Sequence, residues 1–451
     1  MSQSAEKPRA AGRAWPPVVI PSLVLLATAA VSVALACKGS AWALETVAAH
    51  GLGCLTGLAL LSAVACSRMF GRPALLALHA GFALVLGGWV VNKVAGGKEG
   101  ILTLAEPELL KQYQWMAQRH GWTNAGSVDG EFNYVLDRFE IKYTPNGEID
   151  QYTSYGRIVG EEEELQGEGD KAQGEKAEIS VNHPLVRNGW WVYQSSYQQM
   201  PNPYTGEVAR NPRTGEPFYF TVLHCVKDVG LPFAAFGGVL LLLGAFGLAV
   251  GRDKRAPSRG ARQARPLPCD GLPRERSRLS RPYVWTVRAL YGLAFLGAVA
   301  MLVHRGFAAG HPPMQNMYEF LICTAALIPA LTFVSARWDR QDTLLVDSLL
   351  LAIVLVPVGF FMDGSVKHLM PALQSPFFVP HVGAYVIGYV LLVRAALGAG
   401  RRLVGLGFFL LTLGLVLGAA WGKVCWGHWW QFDPKEMWSL ATWLQIGRAH
   451  V

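Results

Sequence analysis

The chain has 451 residues, only 16% of them charged, and its mean hydropathy of +0.25 is too high for a soluble protein of this size. The net charge of +8 raises nucleic acid as a partner, but ten Lys and Arg against three Asp and Glu lie between Arg252 and Arg281, in a Pro-, Gly- and Ser-rich segment. A basic segment between apolar runs is typical of a cytoplasmic loop, which excludes nucleic acid. The seven cysteines form no CxxC or CxxCH, which argues against a redox dithiol, a zinc ribbon and a self-attached c-type haem.

Apolar stretches long enough to cross a ~30 Å bilayer core recur along the chain. They lie near residues 17–37, 47–66, 73–92, 229–250, 283–303, 317–335, 343–361, 379–398 and 403–424, and a tenth begins near Met437. The first is longer than the core of a signal peptide and lacks a clear cleavage site, so we interpret it as a retained helix. We predict a polytopic α-helical membrane protein with about nine full spans and the start of a tenth.

The basic loops fall alternately on one side of these spans, which we assign to the cytoplasm. Residues 93–228 then form an external domain between spans 3 and 4, and a tryptophan-rich stretch near the end of the chain is also external. The domain is β-rich, because residues 133–158 alternate in strand fashion around a Pro-Asn-Gly turn and residues 178–199 predict a further strand pair. The charge run at 160–178 predicts a flexible loop.

His79 lies about seven residues past the cytoplasmic Arg72, hence roughly 10 Å into the bilayer. An ionisable side chain at this depth is either hydrogen-bonded to a neighbouring helix or functional, for example as an axial ligand of haem iron. Gly81, Gly87 and Gly88 on the same helix predict a close approach of a flat macrocycle.

Two segments of this half carry a family resemblance. "VLDRFEIKYTPNGEIDQYTSYGRI" followed by "ISVNHPLVRNGWWVYQSSY" resembles the external β-domain of the ResB/CcsB family of type II cytochrome c biogenesis. The resemblance covers roughly residues 15–250, including the spans around that domain, and implies that His79 is a haem ligand. We therefore assign residues 1–250 to a ResB/CcsB-like half. Residues 251–282 form a basic cytoplasmic linker.

The second half, residues 283–445, contains three motifs in order. "HPPMQNMYEFLICTAAL", "LQSPFFVPHVGAYVIGYVLL" and the stretch 421–443 resemble the CcsA/ResC family, whose tryptophan-rich loop is the WWD domain of haem-handling proteins. That stretch holds six tryptophans in 23 residues around a DPKE core. A membrane-interface belt explains single tryptophans but not this density.

Trp426, Trp429, Trp430 and Trp438 therefore predict a platform for haem, with Asp433 beside it. Lys435 is left with two interpretations, a contact to a haem propionate or a pair with Asp433. Cys425 in this stretch is interpreted as a free external thiol.

His381 lies at the external end of its span and, by resemblance, is an axial haem ligand at the outer face, whereas His79 implies a second haem position inside the bilayer. The remaining external histidines, His304, His311, His368 and His428, are interpreted as surface residues. His450 does not have the spacing of the family's next histidine. We expect Ile446–Val451 to be a non-native tail read through a sequencing adapter, the natural gene to continue, and the truncated form to be inactive.

The resemblance implies a cytochrome c synthase of the bacterial cytoplasmic (inner) membrane, which delivers haem b across the bilayer and attaches it to the CxxCH thiols of apocytochrome c. A separate thiol-reducing system is an expected partner, because this chain has no CxxC. One alternative is a haem exporter or chaperone without ligation activity. A haem-b electron carrier is less consistent, since no span has two histidines four turns apart, and a transporter of another substrate leaves the tryptophans unexplained.

Overall fold

A computed structural model describes residues 72–94, 97–160, 174–202, 204–251, 281–335, 344–397 and 401–450. The predicted spans 17–37 and 47–66, nearly all of the linker 251–282 and most of the predicted loop 160–178 lie outside these residues. The helices are α1 (Pro73–Val94), α2 (Pro107–Gln112), α3 (Gln114–His120), α4 (Leu231–Val250), α5 (Arg281–Ala309), α6 (Met317–Ser335), α7 (Leu344–Phe360), α8 (Phe378–Ala396), α9 (Arg401–Trp426) and α10 (Pro434–His450). The strands are β1 (Lys98–Ala105), β2 (Ala125–Val128), β3 (Phe132–Tyr143), β4 (Ile149–Val159), β5 (Glu175–Ser180), β6 (Leu185–Arg187), β7 (Trp190–Gln199) and β8 (Tyr219–Lys227).

Six of the described helices are long and apolar enough to cross a membrane, namely α1, α4, α5, α6, α8 and α9. Each coincides with a predicted span, so a polytopic membrane protein with a β-domain is confirmed. The predicted span 343–361 is the 17-residue helix α7, which is apolar from Asp347 but shorter. The predicted tenth span corresponds to α10, which is not among the six. The count of nine spans plus one therefore stays a prediction.

The chain divides into two compact units. One contains α1 and most of α4. The other contains the β-domain together with α5 to α10, so residues 98–227 are grouped with the second half of the chain.

In the first unit, α1 and α4 pack through glycines seven residues apart. A Cβ on Gly81 would lie 2.7 Å from the carbonyl oxygen of Gly237, and one on Gly88 would lie 2.8 Å from that of Gly230. The third contact is between Gly244 and Ala74. A Cβ added to Gly244 would lie 2.7 Å from the carbonyl oxygen of Ala74. The pairing runs in opposite directions along the two helices, and small residues let such helices approach closely in a membrane.

The β-domain is a sandwich of two antiparallel four-stranded sheets, with strand orders β1-β8-β7-β6 and β2-β3-β4-β5. The predicted hairpin is confirmed as β3 and β4, with Gly147 at φ +80° in the turn. Inward residues of both sheets form one core, because strand side chains alternate between two faces. This core includes Tyr134, Ile179, Trp190, Val192 and Leu223.

One part of the predicted loop is wrong. Glu175 to Glu178 belong to β5, which pairs with β4. These charged residues alternate with Ala177 and Ile179, whose side chains point inward. In the sequence, the charged outer face of this strand resembled a solvated loop.

Two buried ion pairs fix the helices of the second half. Arg394 of α8 and Asp347 of α7 are each 1% exposed, with Nε 2.9 Å from Oδ1. Arg305 of α5 and Glu319 of α6 are 7% and 1% exposed, with Nε 2.6 Å from Oε1. Each guanidinium also donates to backbone carbonyls, so the charges are paired and hydrogen-bonded as burial requires.

Candidate functional site

His381 lies in the first turn of α8 with its ring against α9. Its Nδ1 is 2.8 Å from the carbonyl oxygen of Gly414. A carbonyl oxygen only accepts, so Nδ1 carries the proton and donates it, and Nε2 holds a lone pair. Metal-binding histidines often have this arrangement, in which a backbone acceptor fixes both the tautomer and the ring orientation.

Glycines of α9 make room for this ring. A Cβ on Gly418 would lie 2.5 Å from Cε1 of His381, and one on Gly414 would lie 2.9 Å from the ring of Tyr385. His381 and Tyr385 are one helical turn apart, as are the two glycines, so two rings of α8 lie over two gaps in α9. The ring planes of His381 and Tyr385 are nearly perpendicular, with centroids 5.0 Å apart.

Neighbouring aromatic rings form a series that begins at His381. Its ring centroid lies 5.7 Å from that of Trp421, which lies 5.5 Å from that of Trp426. Phe378 flanks Trp421 at 5.8 Å. The indole N–H of Trp421 donates to the carbonyl oxygen of Ala372, which holds this ring at the end of α9.

The four tryptophans predicted as a platform differ in their surroundings. Trp426 is 44% exposed and belongs to the ring series, whereas Trp438 is 75% exposed. Trp429 and Trp430 are half-buried. Nε1 of Trp429 is buried and has no hydrogen-bond acceptor among the described residues, so an acceptor oxygen of a bound molecule would satisfy it. Among the described rings, the series from His381 does not include Trp429, Trp430 or Trp438.

The DPKE core begins helix α10. Oδ1 of Asp433 accepts from the backbone N–H of Glu436 at 2.7 Å, and Oε2 of Glu436 accepts from the N–H of Gln431 at 2.7 Å. With Pro434 in the first turn, this is a capping arrangement that satisfies amides at a helix N-terminus. Asp433 therefore has a structural role that sequence reasoning missed. Its predicted contact with haem stays a prediction, as does the role of Lys435.

The β-domain holds the segment that leads into α8. The amide nitrogen of Asn182 donates to the carbonyl oxygens of Pro371 and Gln374 at 2.8 and 3.1 Å. Nε2 of Gln374 donates in turn to the carbonyl oxygen of Asp150 at 3.0 Å. Asn182 belongs to the "NHPL" motif and Gln374 to the "LQSP" motif. The two resemblances therefore meet at one contact, and this contact positions the start of the helix that carries His381.

His79 of α1 shares the hydrogen-bond pattern of His381. Its Nδ1 is 2.8 Å from the carbonyl oxygen of Leu75, one turn earlier, so the proton is again on Nδ1 and the lone pair on Nε2. The prediction for the glycines of this helix is wrong in two of three cases. Gly81 and Gly88 are occupied by the contact with α4, and only at Gly87 does an added Cβ meet no atom within 4 Å.

Two further predictions need correction. His311 is not a surface histidine: it is 9% exposed, and its Nδ1 and Nε2 lie 3.0 Å from the carbonyl oxygens of Pro312 and Lys367. Cys425 is a free cysteine but is buried, since α9 continues past it to Trp426. The segments that connect the helices fold onto one another, and span counting does not reveal these contacts.

Trp421, Tyr385, Gly414 and Gly418 were missed as contributors to the site. The sequence did contain one signal for this packing. His381 and Tyr385 are four residues apart, and so are Gly414 and Gly418, so each pair lies on one face of its helix. Only the antiparallel pairing of α8 and α9 makes those spacings meaningful, and the sequence does not show that pairing.

Comparison with known proteins follows the same division of the chain. The ResB-like family matches residues 62–217, and the family "Cytochrome C assembly protein" matches residues 399–449, which include the tryptophan-rich stretch. The chain joins a ResB-like half to a CcsA half. The two matches, in this order along one chain, support a fused CcsB–CcsA protein of type II cytochrome c biogenesis.

Curated relatives of the CcsA half carry the name "Cytochrome c biogenesis protein CcsA". The protein from Chlamydomonas reinhardtii is 30% identical in an alignment of 195 residues that covers 35% of this chain and 54% of the relative. The protein from Synechococcus sp. (strain WH7803) is 28% identical in an alignment of 232 residues that covers 35% of this chain and 70% of the relative. The fused CcsB–CcsA chain thus spans about half the length of the first relative.

Proposed function

We propose that this CcsB–CcsA protein carries haem b across the bacterial cytoplasmic membrane and attaches it covalently to apocytochrome c at the outer face. The observation that carries the proposal is His381, whose proton is fixed on Nδ1 by Gly414 and whose Nε2 is available next to the rings of Trp421 and Trp426. A neutral imidazole is a ligand for haem iron, and broad indole faces suit a flat apolar macrocycle. The buried N–H of Trp429 suits a propionate oxygen.

In this proposal the protein acts mostly by positioning. His381 holds the iron of the haem substrate, the tryptophans hold the ring, and the vinyl groups stay open to the CxxCH segment. Each cysteine S–H then adds across one vinyl C=C, which forms a thioether and needs no external oxidant. Fixing both reactants in one geometry raises their effective concentration. A separate reducing system keeps the thiols reduced. His79 is proposed as a ligand of haem within the bilayer before it reaches the outer face.

The decisive experiment uses the full chain purified in detergent with its affinity tag removed. The visible spectrum and total haem are measured for wild type, His381→Gly and His79→Gly, with and without imidazole. We expect each variant to lose one haem signal and to regain it with imidazole, because the free ligand fills the gap left by the side chain. His304→Ala, an exposed histidine of α5, is the matched control. Unchanged spectra in both glycine variants would contradict both ligand assignments.

Co-expression with an apocytochrome separates synthesis from transport. Covalent haem on the cytochrome, detected after denaturing electrophoresis, supports the synthase. If haem is bound by the CcsB–CcsA protein and the cytochrome stays unmodified, the synthase proposal fails and haem handling without ligation remains.

A further inference from the structure

Three side chains with metal-binding atoms meet between the β-domain and the loop that joins α9 to α10. Glu99 comes from β1, His224 from β8 and His428 from the loop, and one ligand atom from each lies within 4.8 Å of the other two. Oε1 of Glu99 lies 2.9 Å from Nε2 of His224 and 3.6 Å from Nε2 of His428. The two imidazole rings are 4.8 Å apart. These separations are close to those between ligands that share one metal ion with bonds of about 2.0–2.2 Å.

The hydrogen-bond pattern of His224 points to a cation. Its Nδ1 faces the carbonyl oxygen of Trp426 at 3.3 Å, and its Nε2 faces the carboxylate of Glu99. Both neighbours are acceptors, whereas a neutral imidazole has one N–H and one lone pair. With Glu99 ionised, both contacts are satisfied by a doubly protonated ring, or by a neutral ring that donates from Nδ1 and gives its Nε2 lone pair to a metal. The second state matches the usual backbone orientation of a metal-binding histidine.

The backbone of the loop is shaped to reach this place. Gly427 has φ +88°, a conformation that favours glycine, and an added Cβ would lie 3.1 Å from Nδ1 of His224 and 2.9 Å from the ring of Tyr193. The buried amine of Lys423 donates to the carbonyl oxygen of Gly427 at 3.0 Å. The loop is thus fixed against β7 and β8, and His428 follows directly at the edge of the contact.

The three side chains differ in their exposure to solvent. The side chain of His224 is 11% exposed, that of His428 is 31% exposed and that of Glu99 is 51% exposed. His224 would shield a bound metal on one side, and the exposed carboxylate of Glu99 would leave access for a water molecule on the other. Two imidazoles and one carboxylate suit a dication of borderline softness better than Ca²⁺ or Mg²⁺, which prefer oxygen ligands.

We propose that Glu99, His224 and His428 form a Zn²⁺ site that joins the β-domain to the tryptophan-rich loop. The site is distinct from the haem ligands His79 and His381. Because the three ligands come from both halves of the fused chain, the metal cross-links the sandwich to the loop that follows Trp426 and carries Trp429 and Trp430. Binding of the ion to the folded protein stabilises this contact.

The test uses the full chain in detergent, treated with a chelator and with its tag removed. Zn²⁺ binding is measured by competition with a chromophoric chelator, and Co²⁺ is added as a spectroscopic probe whose visible bands report nitrogen and oxygen ligands. We expect one high-affinity Zn²⁺ per chain and a rise in Tm on adding Zn²⁺. Glu99→Gln, His224→Ala and His428→Ala should each weaken binding by about tenfold or more.

His368→Ala is the matched control. His368 also pairs with a carboxylate of the β-domain, Asp150, at 2.8 Å, but outside the three-residue group. This variant should bind Zn²⁺ as wild type does. His428→Ala changes a partly exposed loop residue, so its fold can be verified by an unchanged circular dichroism spectrum. The proposal is overturned if wild type binds no stoichiometric Zn²⁺, or if His428→Ala and His368→Ala bind it equally well. In either case the contact between His224 and Glu99 is an ordinary hydrogen bond.

Discussion

The imidazole of His381 donates to the carbonyl oxygen of Gly414, and it occupies space that a side chain on Gly418 would remove. One residue of α9 thus orients the ring and another admits it. As the proposed haem ligand, His381 has its tautomer and ring direction set by the protein alone, which reduces the ordering that iron binding would require.

The first prediction concerns Gly418→Ala. The added Cβ would lie 2.5 Å from Cε1 of His381, so the ring must turn away and its Nδ1 contact with Gly414 is lost. We expect haem bound through His381 to weaken by about tenfold or more, as for other residues that orient a metal ligand. Haem titration monitored by the visible spectrum measures the change.

Gly383→Ala is its control. Gly383 also lies in α8, two residues after His381, and an added Cβ there meets no atom within 4 Å. Equal haem affinity in Gly418→Ala and wild type would show that the close contact between Gly418 and His381 does not determine the orientation of the ring.

Sequence reasoning predicted the parts of this site unequally. The choice of His381 and the tryptophans rested on distinctive residue types and motif order, and it stays a prediction. The hairpin β3–β4 was predicted correctly because turn chemistry is local. The N-cap role of Asp433 was also readable, since Asp-Pro-x-Glu before a helix is a local pattern, but the haem interpretation took precedence over it. Gly81 and Gly88 were assigned to a macrocycle because their partners on α4 lie about 150 residues away. His224 and Glu99 could not be associated with His428 without the register of β1 and β8.

The second prediction concerns the buried pair of Arg394 and Asp347. Arg394→Met leaves the Asp347 carboxylate at 1% exposure with no guanidinium, and breaking such a pair typically destabilises a protein by about 3–5 kcal/mol. We expect a large loss of thermal stability, measured by a dye-based melt in detergent. The double variant Arg394→Met with Asp347→Leu should recover much of it, because no buried charge remains.

Lys367→Met provides the comparison. Lys367 pairs with Asp363 at 3.8 Å, with both side chains more than half exposed, and such pairs contribute little. A melt of Arg394→Met indistinguishable from that of Lys367→Met would contradict the assigned role of the buried pair.

The third prediction separates two glycines of α1. Gly81→Ala places a Cβ 2.6 Å from the backbone nitrogen of Leu241, so α1 and α4 must move apart, at a cost of about 1–3 kcal/mol. Gly87→Ala meets open space and should leave stability unchanged or slightly higher. Thermal melts of the two variants, side by side, test this. Similar melting temperatures would refute the glycine contact between these helices.

The fourth prediction is a pH dependence in the β-domain. Burial raises the pKa of Glu106 to about 7, against 4.5 for the free side chain, although its carboxylate accepts from the N–H of Phe139 at 3.2 Å. Between pH 4.5 and about 7, the folded state keeps a proton on Glu106 that the unfolded state has already released. The free energy of unfolding is therefore highest below pH 4.5, and this contribution is lost as the pH rises through about 7. We expect a loss of about 1–3 kcal/mol between pH 5 and 8, observed as a falling Tm.

Glu106→Gln should flatten this part of the pH profile, because glutamine does not titrate. Glu108→Gln is the control, since Glu108 is an exposed carboxylate two residues away. Parallel profiles for wild type and Glu106→Gln between pH 5 and 8 would rule out Glu106 as the titrating group.

The last prediction distinguishes the two roles of Asp433. As an N-cap of α10, it needs only an oxygen that accepts from the N–H of Glu436, which Asn and Ser also provide. Asp433→Ala should then destabilise the helix start by about 1 kcal/mol, whereas Asp433→Asn should retain wild-type stability and haem binding. If its negative charge were instead required by the haem site, Asp433→Asn would lose haem as fully as Asp433→Ala. Hydrogen exchange of the α10 amides, measured together with the haem spectrum, distinguishes the capping role from the haem-binding role. Loss of the cap increases exchange in the first turn of the helix, whereas loss of a charge needed by haem changes only the spectrum.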